Sequence, residues 1–271
     1  MQPDVVVQFG GEPSPSADVV VADERERDAV ERTIAAAPMA ARVLAQVLRL
    51  TEDLAVEDAL VVESLAYSML LAGPEFAAWL DRRGPATPPP TGDEPVGLAR
   101  DGDVLTVTLQ RPERHNAYAA SVRDALVDAL EVGLADPSLQ IRLRGAGRSF
   151  CSGGDLDEFG TTPDVATAHA IRLERSAGLR LHRLRERTTV EVRGACVGAG
   201  VELAAFAGTV EAHGWAYFQL PELRMGLIPG AGGTVSLPRR IGRHRTAWLA
   251  LTGRRLDVPT ALEWGLVDRA C

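Results

Sequence analysis

Hydrophobic residues recur at steps of three and four positions between residues 24 and 83. This spacing places the apolar side chains on one face of a helix, where they can pack against a core. The residues that carry the pattern are Val30, Ile34, Val43, Val47, Leu48, Ala59, Val62, Leu65, Met69 and Leu70. The pattern predicts three or four amphipathic helices in this part of the chain.

The pattern changes at residues 84–94, which read GPATPPPTGDE. Proline at this density is typical of a linker. The sequence therefore predicts a helical region over residues 17–83, a linker over residues 84–94 and a second region over residues 95–271.

Strand and helix patterns alternate after the linker. Residues 104–109, 139–143 and 188–192 are predicted strands. Residues 119–134 and 165–184 have the spacing of helices. Strands that are joined by helices of this length imply a mostly parallel sheet built from crossover units. The second region is therefore predicted to have an α/β fold.

The composition of the chain is that of a globular protein, with 46% hydrophobic and 24% charged residues among 271. Its net charge of −8 argues against sequence-independent nucleic-acid binding, which needs a basic surface. The longest apolar run, near residues 195–207, is interrupted by Glu202 and is shorter than the roughly 18 residues of a membrane span. The first ten residues lack the basic start of a signal peptide. We therefore expect no nucleic-acid or membrane partner, and a cytoplasmic location.

All 29 basic residues are arginine, because the chain contains no lysine. This excludes a Schiff-base enzyme, a pyridoxal-phosphate lysine and a phosphate-binding P-loop lysine. The three cysteines, Cys151, Cys196 and Cys271, do not have the spacing of metal ligands. We interpret them as reduced packing residues and expect no metal site.

Two glycine-rich segments each follow a predicted strand. Residues 145–155 read GAGRSFCSGGD, and residues 193–210 read RGACVGAGVELAAFAGTV, with a helix predicted to begin near Gly200. Small residues let a backbone turn approach a ligand, and a helix N-terminus offers unpaired N–H groups to a developing oxyanion. For residues 145–155 taken alone, a tight turn without a ligand is the simpler explanation.

Two glutamates stand close to these glycine-rich segments. Glu202 is the single charged residue between Ala195 and Ala207, and a carboxylate in such an apolar setting is paired, protonated or functional. Glu222 follows Pro221, a combination that often just opens a surface helix. The sequence by itself leaves open whether Glu202 has a catalytic role or forms a structural ion pair.

Several longer motifs, in order, resemble the crotonase (enoyl-CoA hydratase/isomerase) superfamily over residues 95–271. The matching segments are TLQRPERHNAY from Thr108, GAGRSFCSGGDL, RGACVGAGVEL, PELRMGLIPGAGGTVSLPRRIG and LTGRRLDVPTALEWGLVDRA. The resemblance implies the α/β crotonase-like fold, a spiral of ββα units with an associated helical region.

The resemblance also implies roles for particular residues. The backbone N–H groups of Gly154 and Ala199 occupy the oxyanion-hole positions, and Glu202 and Glu222 occupy the two positions that are both acidic in hydratases. It implies that Glu202 deprotonates the water and that Glu222 delivers a proton to the substrate.

Four further residues are implied to bind coenzyme A. Ala117 would contact the adenine end, and Arg114 is a candidate partner for a phosphate. Asn116 and Asp155 complete this set. No separate cofactor is expected, since the coenzyme A thioester is itself the substrate.

The chain departs from the family at its two ends. The usual C-terminal helices are absent after GLVDR, whereas residues 17–83 resemble that same helical region at the front of the chain. We therefore expect a circular permutant in which residues 84–94 join the family's old C-terminus to its old N-terminus. The alternative is an independent helical domain that mediates interactions.

The function that the resemblance implies is hydration of a 2-enoyl-CoA. The alternatives are an enoyl-CoA isomerase or another acyl-CoA lyase of the family, and a catalytically inert acyl-CoA-binding or scaffold subunit. The family likeness further implies a homo-oligomer, either a trimer or a hexamer.

Overall fold

The computed structural model describes residues 5–87, 94–162 and 164–271. Residues 88–93, which form most of the predicted linker, lie outside the described residues, as do the first four residues. The described chain begins with two short parallel strands, β1 (Val7–Phe9) and β2 (Val19–Val21). Four helices then follow: α1 (Glu24–Ala36), α2 (Pro38–Leu50), α3 (Val56–Leu71) and α4 (Pro74–Arg83). The prediction of three or four helices in this region is confirmed.

A six-stranded sheet forms the centre of the remaining chain. Its strands are β3 (Val96–Asp101), β4 (Val104–Leu109), β5 (Gln140–Gly145), β6 (Thr188–Val192), β8 (Thr209–Ala212) and β11 (Arg269–Ala270), in the order β11-β8-β6-β5-β4-β3. The β3–β4 pair is antiparallel and all the other pairs are parallel. The predicted α/β fold with a mostly parallel sheet is thereby confirmed.

The register of this sheet aligns its apolar positions. Val107 pairs with Leu143, which pairs with Val190, and Val190 pairs in turn with Val210. All four side chains are fully buried. Because side chains alternate between the two faces of a strand, this row fixes which face of the sheet points into the core.

A smaller three-stranded sheet carries the loops of the site. It consists of β7 (Ala195–Val197), β9 (Tyr217–Gln219) and β10 (Leu256–Asp257), in the order β10-β9-β7. The short helix α8 (Ala199–Ala204) starts directly after β7. This helix begins one residue before the predicted start at Gly200 and brings Glu202 into the interior.

The remaining helices cover the two sheets. They are α5 (Ala120–Ala135), α6 (Val165–Glu174), α7 (Ala177–Arg183), α9 (Gly233–Ile241), α10 (Arg243–Thr252) and α11 (Val258–Trp264). The prediction of one helix over residues 165–184 is wrong in detail, because the chain breaks between α6 and α7. Ser176 is the N-cap of α7, and its side chain accepts a hydrogen bond from the Leu179 N–H, so a new helix begins here.

The N-terminal helices pack directly on the rest of the protein. Helix α3 contacts α6 and α9, α2 contacts α9 and α10, and α1 contacts α10. The buried face of α2 contributes Val43, Leu44, Val47 and Leu48 to the same hydrophobic cluster as the central sheet. Residues 24–83 and the α/β region therefore share one core.

The cysteines differ in their environments. Cys151 and Cys196 are buried, free thiols, in agreement with their interpretation as reduced packing residues. Cys271 is exposed, so the packing interpretation was wrong for this residue. It follows the last strand and lies at the surface rather than in an apolar segment.

Neither a metal-binding cluster nor a helix that could span a membrane by itself is present among the described residues. No group of three or more histidine, cysteine, aspartate or glutamate side chains is arranged to hold a metal ion in residues 5–87, 94–162 and 164–271. In the same residues, no single helix has the length and apolar composition needed to cross a membrane. Two pairs of consecutive helices, α1 with α2 and α3 with α4, have that length and composition when taken together, but the pairs are bent by 110° and 60°.

Candidate active site

A cavity of about 440 Å³ lies between the α/β region and helix α3. Five of the predicted site residues line it, namely Gly154, Asp155, Ala199, Glu202 and Glu222. Its other walls include the loop at residues 230–232 and residues of α3, α4 and α6. The structure thus brings the two predicted oxyanion-hole residues and both predicted acid–base carboxylates to one cavity.

Two backbone turns meet at the floor of this cavity. The Val197 N–H donates to the Cys151 carbonyl over 2.9 Å, which joins the end of β7 to the segment that contains Gly153. A Cβ atom on Gly153 would lie 3.2 Å from the Val197 carbonyl oxygen, and Gly153 has a φ of 98°. Glycine is therefore needed for the close approach of the two turns.

Both predicted oxyanion-hole donors are unpaired within the described chain. The Gly154 N–H donates to no protein acceptor there, although its neighbour Asp155 donates to the Tyr118 carbonyl. Ala199 is the first residue of α8, so its N–H has no carbonyl four residues earlier within the helix. Two unpaired peptide N–H groups beside a cavity are suited to bind a carbonyl oxygen that gains negative charge.

Glu202 is held by the loop that precedes α9. Its Oε2 accepts hydrogen bonds from the Ala231 N–H at 2.7 Å and from the Gly233 N–H at 2.9 Å. The residue is 2% exposed. Burial and the neighbouring Glu222 and Glu63 raise the pKa of Glu202 well above its ordinary value, while the two N–H donors act in the opposite direction. No cation pairs with Glu202 among the described residues, which argues against a structural ion pair.

Glu222 has a less polar environment than Glu202. It begins a 3-10 turn (Glu222–Met225), is 7% exposed, and its Oε2 has no hydrogen-bond partner in the described chain. The surface helix that a Pro-Glu pair often opens is therefore not what forms here. Burial is the main cause that raises the pKa of Glu222 to about 8. Such a group holds its proton at neutral pH and can deliver it.

Helix α3 contributes a third carboxylate that the sequence patterns did not single out. Glu63 is 2% exposed, lines the cavity and accepts hydrogen bonds from the Gly232 and Thr234 N–H groups, both at 2.8 Å. Burial raises its pKa to about 7. The local sequence offered no signal, since Glu63 shares its helix with exposed acidic residues and its partners are about 170 positions away.

Aromatic and basic side chains of the helices also line the cavity. Tyr67 on α3 and Trp79 on α4 face it, and the guanidinium of Arg172 on α6 stacks over the Tyr67 ring at 4.9 Å. Trp79 and Phe159 form an edge-to-face pair with centroids 6.0 Å apart. The N-terminal helices therefore supply part of the wall of the cavity.

Arg114 is engaged by two carboxylates. Its guanidinium donates to Asp155 at 2.6 Å and to Asp157 at 2.7 Å, and Arg83 at the end of α4 pairs with the same Asp157. These bonds raise the pKa of Arg114. The carboxylates of Asp155 and Asp157 offset the positive charge of Arg114, so a phosphate would have to compete with them to bind this guanidinium.

Asn116 and Asp155 support the loops from inside the protein. The Asn116 side chain is fully buried, accepts from the Arg111 N–H and donates to the Ala146 and Ser149 carbonyls. Asp155 is 2% exposed and accepts from the Asp157 N–H. The polar atoms of the Asn116 side chain are thus used within the protein, and the implied role of Asn116 in binding coenzyme A stays a prediction.

Ala117 lies next to this loop and is 8% exposed. The two residues before it have positive φ values, 51° at His115 and 54° at Asn116, which turn the chain sharply. Ala117, Arg114 and Asn116 do not line the cavity itself. Their predicted contact with coenzyme A is therefore a contact outside the cavity, and it stays a prediction.

A sequence model of the enoyl-CoA hydratase/isomerase family matches residues 99–271. The chain is 37% identical over 170 residues to the 1,2-epoxyphenylacetyl-CoA isomerase of Escherichia coli, which covers 60% of this chain and 64% of the relative. It is 33% identical over 190 residues to the mevalonyl-coenzyme A hydratase of Beauveria bassiana, with 67% and 68% covered. The chain thus spans less than two thirds of the isomerase.

Solved structures agree with these sequence matches. A putative enoyl-CoA hydratase from Thermobifida fusca, solved in complex with acetoacetyl-CoA, superposes with a TM-score of 0.58 at 28% identity. The superposition covers 65% of this chain and 73% of that structure. This chain is thus similar both to a relative named as an isomerase and to one named as a hydratase.

Proposed function

The chain belongs to the enoyl-CoA hydratase/isomerase family, a family of enzymes, and from this premise we propose that it adds water across the 2,3 double bond of a 2-enoyl-CoA thioester. The observation that carries the proposal is the presence of two buried carboxylates, Glu202 and Glu222, at one cavity. Hydration needs one group to accept a proton from water and another to supply a proton to carbon. A non-catalytic binding subunit would not need either carboxylate in this costly, buried position.

In this proposal the thioester carbonyl oxygen lies between the Gly154 and Ala199 N–H groups. Negative charge grows on this oxygen when water adds at the β-carbon, because an enolate forms. Each such donor typically contributes about 2.7 to 4 kcal/mol to lowering the barrier. The support is that neither N–H group has a protein acceptor among the described residues and that both residues line the cavity.

The two glutamates would then divide the proton transfers. Glu202 accepts a proton from the attacking water, and Glu222 donates its own proton to the α-carbon. Burial and the charges of Glu222 and Glu63 raise the pKa of Glu202, and the hydrogen bonds from Ala231 and Gly233 oppose them by favouring the anionic form that a base requires. Oε2 of Glu222 has no hydrogen-bond partner in the part of the chain that the structure describes, which favours the protonated form that an acid requires.

We further propose that coenzyme A lies along the turn that contains Ala117. The structure in complex with acetoacetyl-CoA belongs to a relative, and it supports an acyl-CoA ligand in this family. Asn116 and Asp155 would hold the turn and the Arg114 side chain in place. No cofactor besides the thioester takes part in the proposed reaction.

Residues 17–83 are proposed to be the family's C-terminal helical region in a permuted position. Two observations support this: the family match begins only at residue 99, and helices α1–α4 pack on the core and line the cavity. An independent interaction domain would not need to contribute Glu63 and Tyr67 to the cavity wall.

Oxygen-isotope labelling tests the proposed reaction directly. Crotonyl-CoA is incubated with the protein in water enriched in oxygen-18, and the product is analysed by mass spectrometry. Hydration gives a product heavier by one labelled water molecule, with the label at the β-carbon. An isomerase would convert a 3-enoyl-CoA without any gain of mass, and an inert subunit would leave both thioesters unchanged.

A further inference from the structure

Four consecutive N–H groups at the start of α9 are shared between two carboxylates. Ala231 and Gly233 donate to Oε2 of Glu202, whereas Gly232 and Thr234 donate to Glu63. The hydroxyl of Thr234 also donates to Glu63 at 2.7 Å. The loop that positions Glu202 is therefore held from its other side by Glu63.

Glu63 comes from a different part of the chain than the loop that it holds. It lies on α3, outside residues 99–271, which match the family. Its side chain is 2% exposed, and a glutamine there would turn an amide NH₂ toward N–H donors that need an acceptor. The geometry therefore requires a carboxylate at this position.

We propose that Glu63 is a positioning residue of the active site, which fixes the loop at residues 231–234 and thereby the carboxylate of Glu202. This inference rests on the proposed function, because it gives Glu63 a task in the same proton transfers. It also means that the N-terminal helices complete the acid–base machinery as well as covering it.

The charge of Glu63 has a second effect. Three hydrogen bonds and the nearby Arg172 favour its anion, and that anion raises the pKa of both Glu202 and Glu222. Neutralising Glu63 should therefore lower the pKa of both. The other titratable or charged groups that interact with this cluster are Tyr67, Tyr118, Cys151 and Arg172.

The test compares Glu63→Gln with Glu57→Gln, a matched change on the same helix at an exposed residue. The first readout is the pH dependence of kcat/KM with crotonyl-CoA. The second is the titration of the Glu202 and Glu222 carboxyl carbons, followed by NMR on protein labelled with ¹³C-glutamate and assigned by the two single Glu→Gln variants. The second readout does not depend on turnover.

We expect Glu63→Gln to lower kcat by about 10²-fold, the cost of a misplacement of about 1 Å at a reacting group. Both carboxyl titrations should move to lower pH by about one unit, as the loss of a neighbouring negative charge implies. Glu63→Asp, which keeps the charge but shortens the reach, should lower kcat and leave the titrations in place. Glu57→Gln should behave like the wild type.

Titrations and a pH profile that are unchanged in Glu63→Gln would overturn the inference and leave Glu63 a purely structural residue. If Glu63→Gln does not fold, Thr234→Val removes one of the three hydrogen bonds. A kcat unchanged in that variant would have the same meaning. If the wild type hydrates no 2-enoyl-CoA, the proposed function is contradicted. The inference about Glu63 is then still tested, because the NMR titration does not need turnover.

Discussion

Gly198 determines how closely Glu222 approaches the start of α8. A Cβ atom at this position would lie 2.7 Å from Oε1 of Glu222 and 3.4 Å from Cα of Gly153. The backbone angles of Gly198, a φ of 51° and a ψ of −122°, are also unfavourable for any residue with a side chain. The spacing between the acid and the oxyanion-hole donors therefore depends on this one glycine.

We expect Gly198→Ala to lower kcat/KM by at least about tenfold, because the added methyl group displaces Glu222 or the turn that holds Ala199. The strained backbone should also cost about 1–3 kcal/mol of unfolding free energy. Gly214→Ala is the control, since a Cβ there has no atom of the described residues within 4 Å. Steady-state kinetics and urea unfolding measure the two effects, and equal behaviour of the two variants would show that Gly198 does not determine the position of Glu222.

The buried Glu222 makes stability depend on pH in a definite direction. Its pKa is raised to about 8 in the folded protein from an ordinary value of 4.5, so the folded state retains a proton that the unfolded state releases between these values. The contribution to stability is fully present below pH 4.5 and is lost as the pH rises through 8. Glu222→Gln lacks this dependence.

The free energy of unfolding of the wild type, measured with urea, should therefore fall relative to that of Glu222→Gln as the pH rises from 5 to 8. We expect the difference in unfolding free energy to change by at least about 1 kcal/mol over this range, since one pH unit corresponds to at most about 1.4 kcal/mol per proton. Glu131→Gln, at an exposed position on α5, is the control. A constant difference between wild type and Glu222→Gln would show that Glu222 does not retain its proton on folding.

Among the secondary-structure elements, regular and long ones were predictable and short ones were not. Strands β4 and β6 have the predicted boundaries because apolar residues alternate along them in the sheet. Strands β7 and β9 have three residues each, and β7 lies between glycines, so no periodicity could reveal them. The break between α6 and α7 depends on a single serine cap, which cannot be predicted from the spacing of apolar residues.

Excision of residues 17–83 tests how the N-terminal helices relate to the core. The isolated segment would expose Val43, Leu44, Val47 and Leu48, which the α/β region now helps to bury. We therefore expect it to lack a cooperative thermal transition when it is followed by circular dichroism. A cooperative transition in the isolated segment would contradict the permutation proposal and favour an independent helical domain.

Helix α3 also has an apolar row on its outer side. Val61, Leu65 and Met69 follow one another at four-residue steps and are 37%, 54% and 54% exposed. Exposed apolar rows of this kind often mark protein–protein contacts. This row is therefore a reason to test the predicted trimer or hexamer at α3.

We expect sedimentation equilibrium to give a mass three or six times the 28.9 kDa of the chain. Leu65→Glu should reduce that mass, because it places a charge in the row. Val132→Glu, which changes an exposed apolar residue on α5, should not. A wild-type mass of one chain would contradict the predicted oligomer.

At the scale of the whole molecule, the site joins residues that are distant in sequence. The motifs in residues 95–271 predicted Gly154, Ala199, Glu202 and Glu222, and the structure brings all four to one cavity. Glu63 could not be predicted in this way, because its task exists only after α3 packs beside the loop at residues 231–234. A local sequence pattern predicts which face of a helix is buried, but not which atoms of the folded protein will contact that face.

We propose that Glu202 and Glu222 together hydrate an enoyl thioester in this cavity. Absorbance at the enoyl-thioester band, recorded with crotonyl-CoA and the wild type, Glu202→Gln or Glu222→Gln, tests it most directly. We expect the wild type to remove the band, and each variant to remove it at a rate lower by at least about 10²-fold. Persistence of the band with wild-type protein that binds the thioester, or its normal loss with either variant, would contradict the claim.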